Sequence, residues 1–233
     1  MIFPDSVNDT LAKKIIRVVY KMGREFIDLF EEWSKSYDDT VGGHDIEYQE
    51  VFKHYDRILD SVTNRVYGHV LEFGVGTGNL TERLLKKGLK VSGIEPSPAM
   101  REIAVSKLRG KTEIVDGDFM DFPKPEKVDS IVSTYAFHHL TDEEKEKAIA
   151  NYGKLLNTGG KIVFADTMYQ SKEAHERAIS DARQAGFHNL ANDLQTEYYT
   201  TIPFLEKALE AHGYKVNFER CNQFVWIMEA EKL

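Results

Sequence analysis

The sequence holds a single cysteine, Cys221, in 233 residues. That excludes an intrachain disulfide and any metal centre built on several thiolates, and it fits a reducing compartment. No run comes near the roughly 20 apolar residues that a membrane-spanning helix needs. The one apolar stretch close to the start, Ile15 to Tyr20, is broken by Arg17 and lacks a small-residue cleavage site, so it makes a poor export signal. No membrane partner is expected, and the expected location is cytoplasmic. Prolines are few, 6 in all, and no Pro/Ser-rich linker, repeat or low-complexity tract divides the chain. Positive charge is in deficit, with 30 Lys and Arg against 38 Asp and Glu and a net charge of −8. An acidic body without a basic stripe repels phosphate backbones, so nucleic acid is not an expected partner.

What is present is an alternation of short apolar runs with longer amphipathic ones. His69–Phe73, Lys90–Glu95, Thr112–Val115, Val128–Ser133 and Lys161–Asp166 read as strands. Between them, Leu80–Lys87 reads as a helix stopped by Gly88, and Pro98–Leu108 as one with proline in its first turn and Gly110 past its end. Asp142 to about Leu156 reads as a helix capped by Thr141, with Glu144 completing a capping box. Strands separated by helices predict a parallel sheet covered on both faces. After a helix from about Pro203 to His212, two strand-like runs, Tyr214–Arg220 and Phe224–Ala230, are separated only by Cys221-Asn222-Gln223. That link is too short for a crossover, so the two must pair as an antiparallel hairpin. The expected fold is α/β and doubly wound, a mostly parallel seven-stranded sheet ending in that hairpin. Residues 22–66, rich in aromatics, and 167–202 fall outside the alternation and are expected as a helical cap and a helical insert of one domain spanning 22–233.

Chemistry concentrates at the ends of the first three strands. Gly74-Val75-Gly76-Thr77-Gly78 lies where the first strand turns into a helix. Glycines at alternate positions strip side chains from a tight turn, so a ligand can lie against bare backbone amides. Strand-to-helix turns also use glycine for geometry alone. The third glycine comes one residue too early for the dinucleotide fingerprint G-x-G-x-x-G, and Asn79-Leu80 stands where a P-loop needs lysine and a hydroxyl residue. Glu95, roughly 20 residues on, closes the second strand, where a carboxylate can accept from both hydroxyls of a ribose; it could equally serve the dipole of the helix that follows. Asp116-Gly117-Asp118-Phe119, past the third strand, offers an acceptor for an exocyclic amine and an apolar face for a ring, or a plain Asp-Gly turn.

Together, Val70 to Leu80, Gly93-Ile94-Glu95-Pro96-Ser97, Asp116-Gly117-Asp118-Phe119 and Tyr135-Ala136-Phe137-His138-His139-Leu140 resemble the class I S-adenosylmethionine-dependent methyltransferases. The likeness runs over about residues 22–230. It extends more narrowly to a small bacterial group of methyltransferases encoded beside methionine-to-cysteine recycling genes. The resemblance implies a Rossmann-like methyltransferase fold, with S-adenosylmethionine as cofactor and a small-molecule acceptor. It places Gly74, Gly76 and Gly78 against the methionine part, Glu72 near its amino group, Glu95 on the ribose, Asp118 on the adenine amine with Phe119 beside the ring, and Thr134 to Phe137 under the methyl group. Val75 departs from the small residue many members carry, which is tolerable if its side chain points away.

Tyr37, in the aromatic lead-in with Phe26, Phe30 and Trp33, is expected as a lid residue, although the spacing of these aromatics also suits the buried face of a helix. His138 and His139 are the candidates for a catalytic base. A metal is not expected, because no carboxylate or cysteine stands at ligand spacing in the sequence. Residues 1–21 precede the resemblance and are expected to be a dispensable extension or an extra amphipathic helix. The competing readings are a non-catalytic binder of the same cofactor and an NAD-dependent oxidoreductase. A monomer or a homodimer is expected.

Overall fold

The computed structural model describes residues 37–233. The expectations for residues 1–21, and for Phe26, Phe30 and Trp33, lie outside the described residues. The sheet runs β3-β2-β1-β4-β5-β8-β7, with β1 His69–Phe73, β2 Lys90–Ile94, β3 Ile114–Val115, β4 Val128–Thr134, β5 Leu156–Tyr169, β7 Tyr214–Arg220 and β8 Val225–Lys232. Strands β1 to β5 are mutually parallel, and β8 is antiparallel to both β5 and β7. The sheet is thus the expected one, with a small eighth strand, β6 (Thr200–Thr201), pairing with the end of β5.

Successive apolar residues of each central strand serve opposite faces, as the pleat requires. Val70, Val132 and Val163 join the core under helices α1 (Tyr55–Arg65) and α2 (Asn79–Lys86). Leu71, Phe73, Ile131 and Phe164 join the core under α4 (Asp142–Leu155) and α7 (Ile202–Ala211). Helix α3 (Pro98–Leu108) begins with Ser97, which accepts from the Met100 amide at 3.3 Å. Helix α4 begins with the expected capping box, both Thr141 and Glu144 bonds being formed.

Three segments differ from expectation. Strand β5 does not stop at Asp166 but continues to Tyr169, because β8 pairs beside it as far as Thr167 and β6 then takes over. The insert therefore turns helical only at α5 (Lys172–Gln184) and α6 (His188–Thr196). In the lead-in, residues 45–54 form turns between an irregular helical stretch over 37–44 and α1. The hairpin turn is shaped by Asn222, whose Oδ1 accepts from the amides of Phe224 (2.8 Å) and Val225 (2.7 Å). Among the described residues, no helix is long and apolar enough to cross a membrane.

Candidate functional site

A cavity opens at the carboxyl ends of β1 to β4. In an open α/β sheet this edge, where the strand order reverses beside β1, is the expected ligand site. Its wall includes Gly74, Gly76, Glu95, Asp118, Phe119, Tyr37, Tyr135 and His139.

The glycine loop fits this place for steric reasons. Gly74 has φ 65°, and a Cβ there would stand 2.7 Å from Ala136 Cβ, so no other residue keeps β1 and β4 this close. Gly76, with φ 56°, would direct a Cβ into open space, so its lack of a side chain leaves the backbone there approachable. That amide donates to Glu95 Oε2 at 2.7 Å, while Ser97 N donates to Oε1 at 2.8 Å. Burial raises the Glu95 pKa, and these two amides only partly offset it. Val75 turns away from the cavity to pack with Ala104, Leu108 and Ile114.

Two of the expected contacts sit behind the wall. Glu72 is 1% exposed and accepts from the Thr81 hydroxyl at 2.7 Å; burial lifts its carboxyl to about 8. Gly78 starts α2 and packs against Leu108 and Ala104, so its bareness serves helix packing. Asp118 faces the cavity, but one carboxylate oxygen also ties a turn, accepting from Met120 N (2.9 Å) and Asp121 N (2.8 Å). Beside it the Phe119 ring stacks on Phe73 with centroids 5.2 Å apart.

The lead-in is latched to this loop. Asp38 Oδ1 accepts from the Thr77 hydroxyl (2.7 Å) and Asn79 Nδ2 (3.1 Å), and Oδ2 pairs with Lys107 at 3.0 Å. Partial burial opposes ionisation of Asp38, but these donors outweigh it and its pKa is lowered. The latch brings Tyr37 to the cavity, and burial, then the neighbouring Tyr55 and Tyr135, raises its pKa. Tyr135 sits in the left-handed region at φ 54°, a strained conformation for an aromatic residue, and its buried hydroxyl has no hydrogen-bond partner among the described residues.

Comparison with known proteins identifies the family. Residues 70–160 match a family described as a methyltransferase domain. An uncharacterized methyltransferase of Bacillus cytotoxicus is 58% identical over 211 residues, 91% of this chain and 100% of the relative. One of Bacillus mycoides is 57% identical over the same shares. This chain belongs to the methyltransferase family. Solved structures share its fold at lower identity. A DhpI–SAM–HEP complex superposes with TM-score 0.68 at 16% identity over 91% of this chain and 98% of the other. Magnesium protoporphyrin IX methyltransferase from Synechocystis with bound SAH gives 0.66 at 17%, over 95% and 100%.

The far wall of the methyltransferase cavity is assembled from distant segments. His138 and His139 lie on a 3-10 turn, Phe137–His139, after β4, with ring centroids 4.1 Å apart. His138 Nδ1 donates to Asp166 Oδ1 at 2.6 Å, and its Nε2 faces Glu197 Oε2 at 3.4 Å. Burial disfavours a charged His138, but Asp166 and Glu197 outweigh it and its pKa is raised. His139 goes the other way: burial, then the charges of His138 and Lys145, lowers its pKa well below the ordinary value. Only His139 of the pair lines the cavity. Tyr199 stacks on His138 (5.0 Å, 21°) and donates to Glu197 at 2.5 Å. Tyr198 N donates to His138 O at 3.0 Å. Lys145, 1% exposed, clamps the two segments by donating to the carbonyls of Leu140 and Tyr198; burial lowers its pKa to about 8.

Asp166, Glu197 and Lys145 escape the sequence because their partners stand about 28 to 59 positions away along the chain. An Asp inside a strand and a charged residue inside a helix carry no local pattern. No carboxylate stands at ligand spacing from the paired histidines along the sequence, but the chain's folding brings Glu197 to them.

Proposed function

We propose that this methyltransferase moves the methyl group of S-adenosylmethionine onto a small-molecule acceptor, leaving S-adenosylhomocysteine. The observation that carries the reading is the convergence of the side-chain-free Gly76 backbone, the Glu95 carboxylate and the Asp118–Phe119 pair on one cavity at three neighbouring strand tips. The residues fit an adenosyl compound. Each Glu95 oxygen accepts one amide hydrogen and keeps a lone pair for a ribose hydroxyl. Phe119 offers a ring face beside Asp118, and the rings of Tyr37 and Tyr135 supply aromatic surface suited to a cation.

When bound, S-adenosylmethionine supplies an already activated methyl group on a sulfonium, so the protein's task is placement. Gly74 and Gly76 let the ligand approach the backbone, Glu95 and Asp118 fix the nucleoside, and Tyr37, held by the Asp38 latch, closes the mouth. His139 is the titratable group facing the acceptor side, and burial with the charges of His138 and Lys145 holds it neutral. His138, engaged by Asp166 and facing Glu197, orients that turn.

Calorimetry on the full chain with S-adenosylmethionine, S-adenosylhomocysteine and NAD tests the reading. Saturable binding of the first two and none of NAD is expected; no saturable S-adenosylmethionine binding, or a preference for NAD, overturns it. Transfer of labelled methyl into a metabolite mixture separates an enzyme from a protein that only binds the cofactor.

A further inference from the structure

We propose that His138 Nε2, a ring nitrogen of His139 and the Glu197 carboxylate form a binding site for a first-row divalent metal ion of the zinc class, at the acceptor side of the cavity. One ligand atom from each of the three lies within 4.8 Å of the others. Donors about 2.0–2.2 Å from a shared tetrahedral ion are separated by roughly 3.3–3.5 Å; His138 Nε2 and Glu197 Oε2 stand 3.4 Å apart. Two imidazoles and one carboxylate make a donor set that suits zinc and its neighbours rather than calcium or magnesium, which prefer oxygen.

The surroundings orient these donors as metal sites require. Asp166 holds His138 Nδ1, which turns Nε2 toward Glu197, the carboxylate–histidine arrangement that commonly backs a metal ligand. Asp166 is itself fixed, accepting also from the amides of His138 (3.0 Å) and Thr167 (2.7 Å). Glu197 is oriented by the Tyr199 hydroxyl. The Tyr198-to-His138 backbone bond and the Lys145 clamp tie the two contributing segments together. Three protein ligands leave a position open, and His139 places it beside the cavity wall. An ion there would hold an acceptor hydroxyl or thiol that has released its proton to solvent. That use rests on the function proposed above; uptake of the ion does not.

The full chain, stripped of metal by chelator and gel filtration, is titrated with Co²⁺ without cofactor. One equivalent with visible ligand-field bands is expected, displaced by Zn²⁺. Glu197→Gln and His139→Gln, on separate segments so that a folding failure of one leaves the other to decide, should each weaken uptake by more than about tenfold, the lower end of what even an outer partner is worth. No stoichiometric uptake by the unaltered chain, or uptake that both substitutions leave unchanged, overturns the proposal. Calorimetry with S-adenosylmethionine on the same metal-free protein tests the cofactor reading separately, so either can fail alone.

Discussion

The two sides of the cavity are built on different principles. At the tips of β1 and β2 the polar surface is backbone: the Gly76 and Ser97 amides, gathered by one carboxylate, Glu95. Across the cavity, behind His139, the structure is held by side chains: His138 flanked by Asp166 and Glu197, with Lys145 bridging two segments. Backbone amides keep their direction as long as the loop keeps its shape, and glycine at positive φ sets that shape. A charged cluster keeps its direction only while its charges balance, because each member is desolvated and depends on the others. The nucleoside side should therefore tolerate loss of a charge with intact folding and weaker binding. The acceptor side should lose stability.

The largest test of that contrast is His138→Ala. It leaves Asp166 and Glu197 without the group between them, and breaking a buried pair by removing one partner costs about 3–5 kcal/mol. Urea denaturation should show a midpoint shift of that order, and Asp166→Asn in the same chain should recover part of it. A loss under about 0.5 kcal/mol would mean the cluster is not coupled.

Glu72 gives the converse test, a buried carboxyl with no oppositely charged partner among the described residues. Its folded pKa of about 8 lies above the ordinary 4.5, so the folded chain binds this proton more tightly than the unfolded one. Its contribution to stability is then complete below about 4.5 and is lost as pH rises through about 8. Glu72→Gln keeps the contact with Thr81 and removes the titration. The stability of the variant relative to the native chain should climb with pH across that window, by on the order of 5 kcal/mol. Parallel curves for the two proteins would contradict the buried proton.

On the proposed nucleoside side, Glu95→Ala should remove the charged hydrogen bonds proposed to a ribose, worth roughly 1.5–3 kcal/mol each. S-adenosylmethionine affinity should fall about 10- to 100-fold while the denaturation midpoint moves far less than in His138→Ala. Unchanged affinity would remove Glu95 from the site.

The same contrast explains what could be read in advance. The glycine loop, Glu95 and the Asp118–Phe119 pair each announce themselves by spacing from a strand end, because sheet topology brings successive strand tips together without further information. Thr141 with Glu144, and the hairpin around Cys221 to Gln223, were legible for the same local reason. Strand β5 was not legible past Asp166, since its length is set by β8, some 60 residues later along the chain. Glu197 and Lys145 were illegible because nothing near them in sequence marks a meeting with His138. Gly78 shows the limit of pattern from the other direction. It completes the motif, yet its missing side chain makes room for Ala104 and Leu108.

Asp38 pairs with Lys107 on the largely backbone-built side, and the smallest predicted effect comes from it. Its carboxylate both accepts from Thr77 and Asn79 and pairs with Lys107, and the pair is half exposed, so the ionic part is worth less than about 1 kcal/mol. Asp38→Asn keeps an acceptor for Thr77 and removes the charge; Asp38→Ala removes both. If the latch works through neutral hydrogen bonding to the loop, Asp38→Asn should bind S-adenosylmethionine nearly as well as the native chain, and Asp38→Ala should lose affinity by less than about tenfold, about the worth of one net hydrogen bond. If it works through Lys107, the two variants should match, and added salt should weaken the native chain toward them by screening the pair. The first outcome keeps the division between a wall of backbone and a wall of charge; the second extends charge control to the lead-in that carries Tyr37.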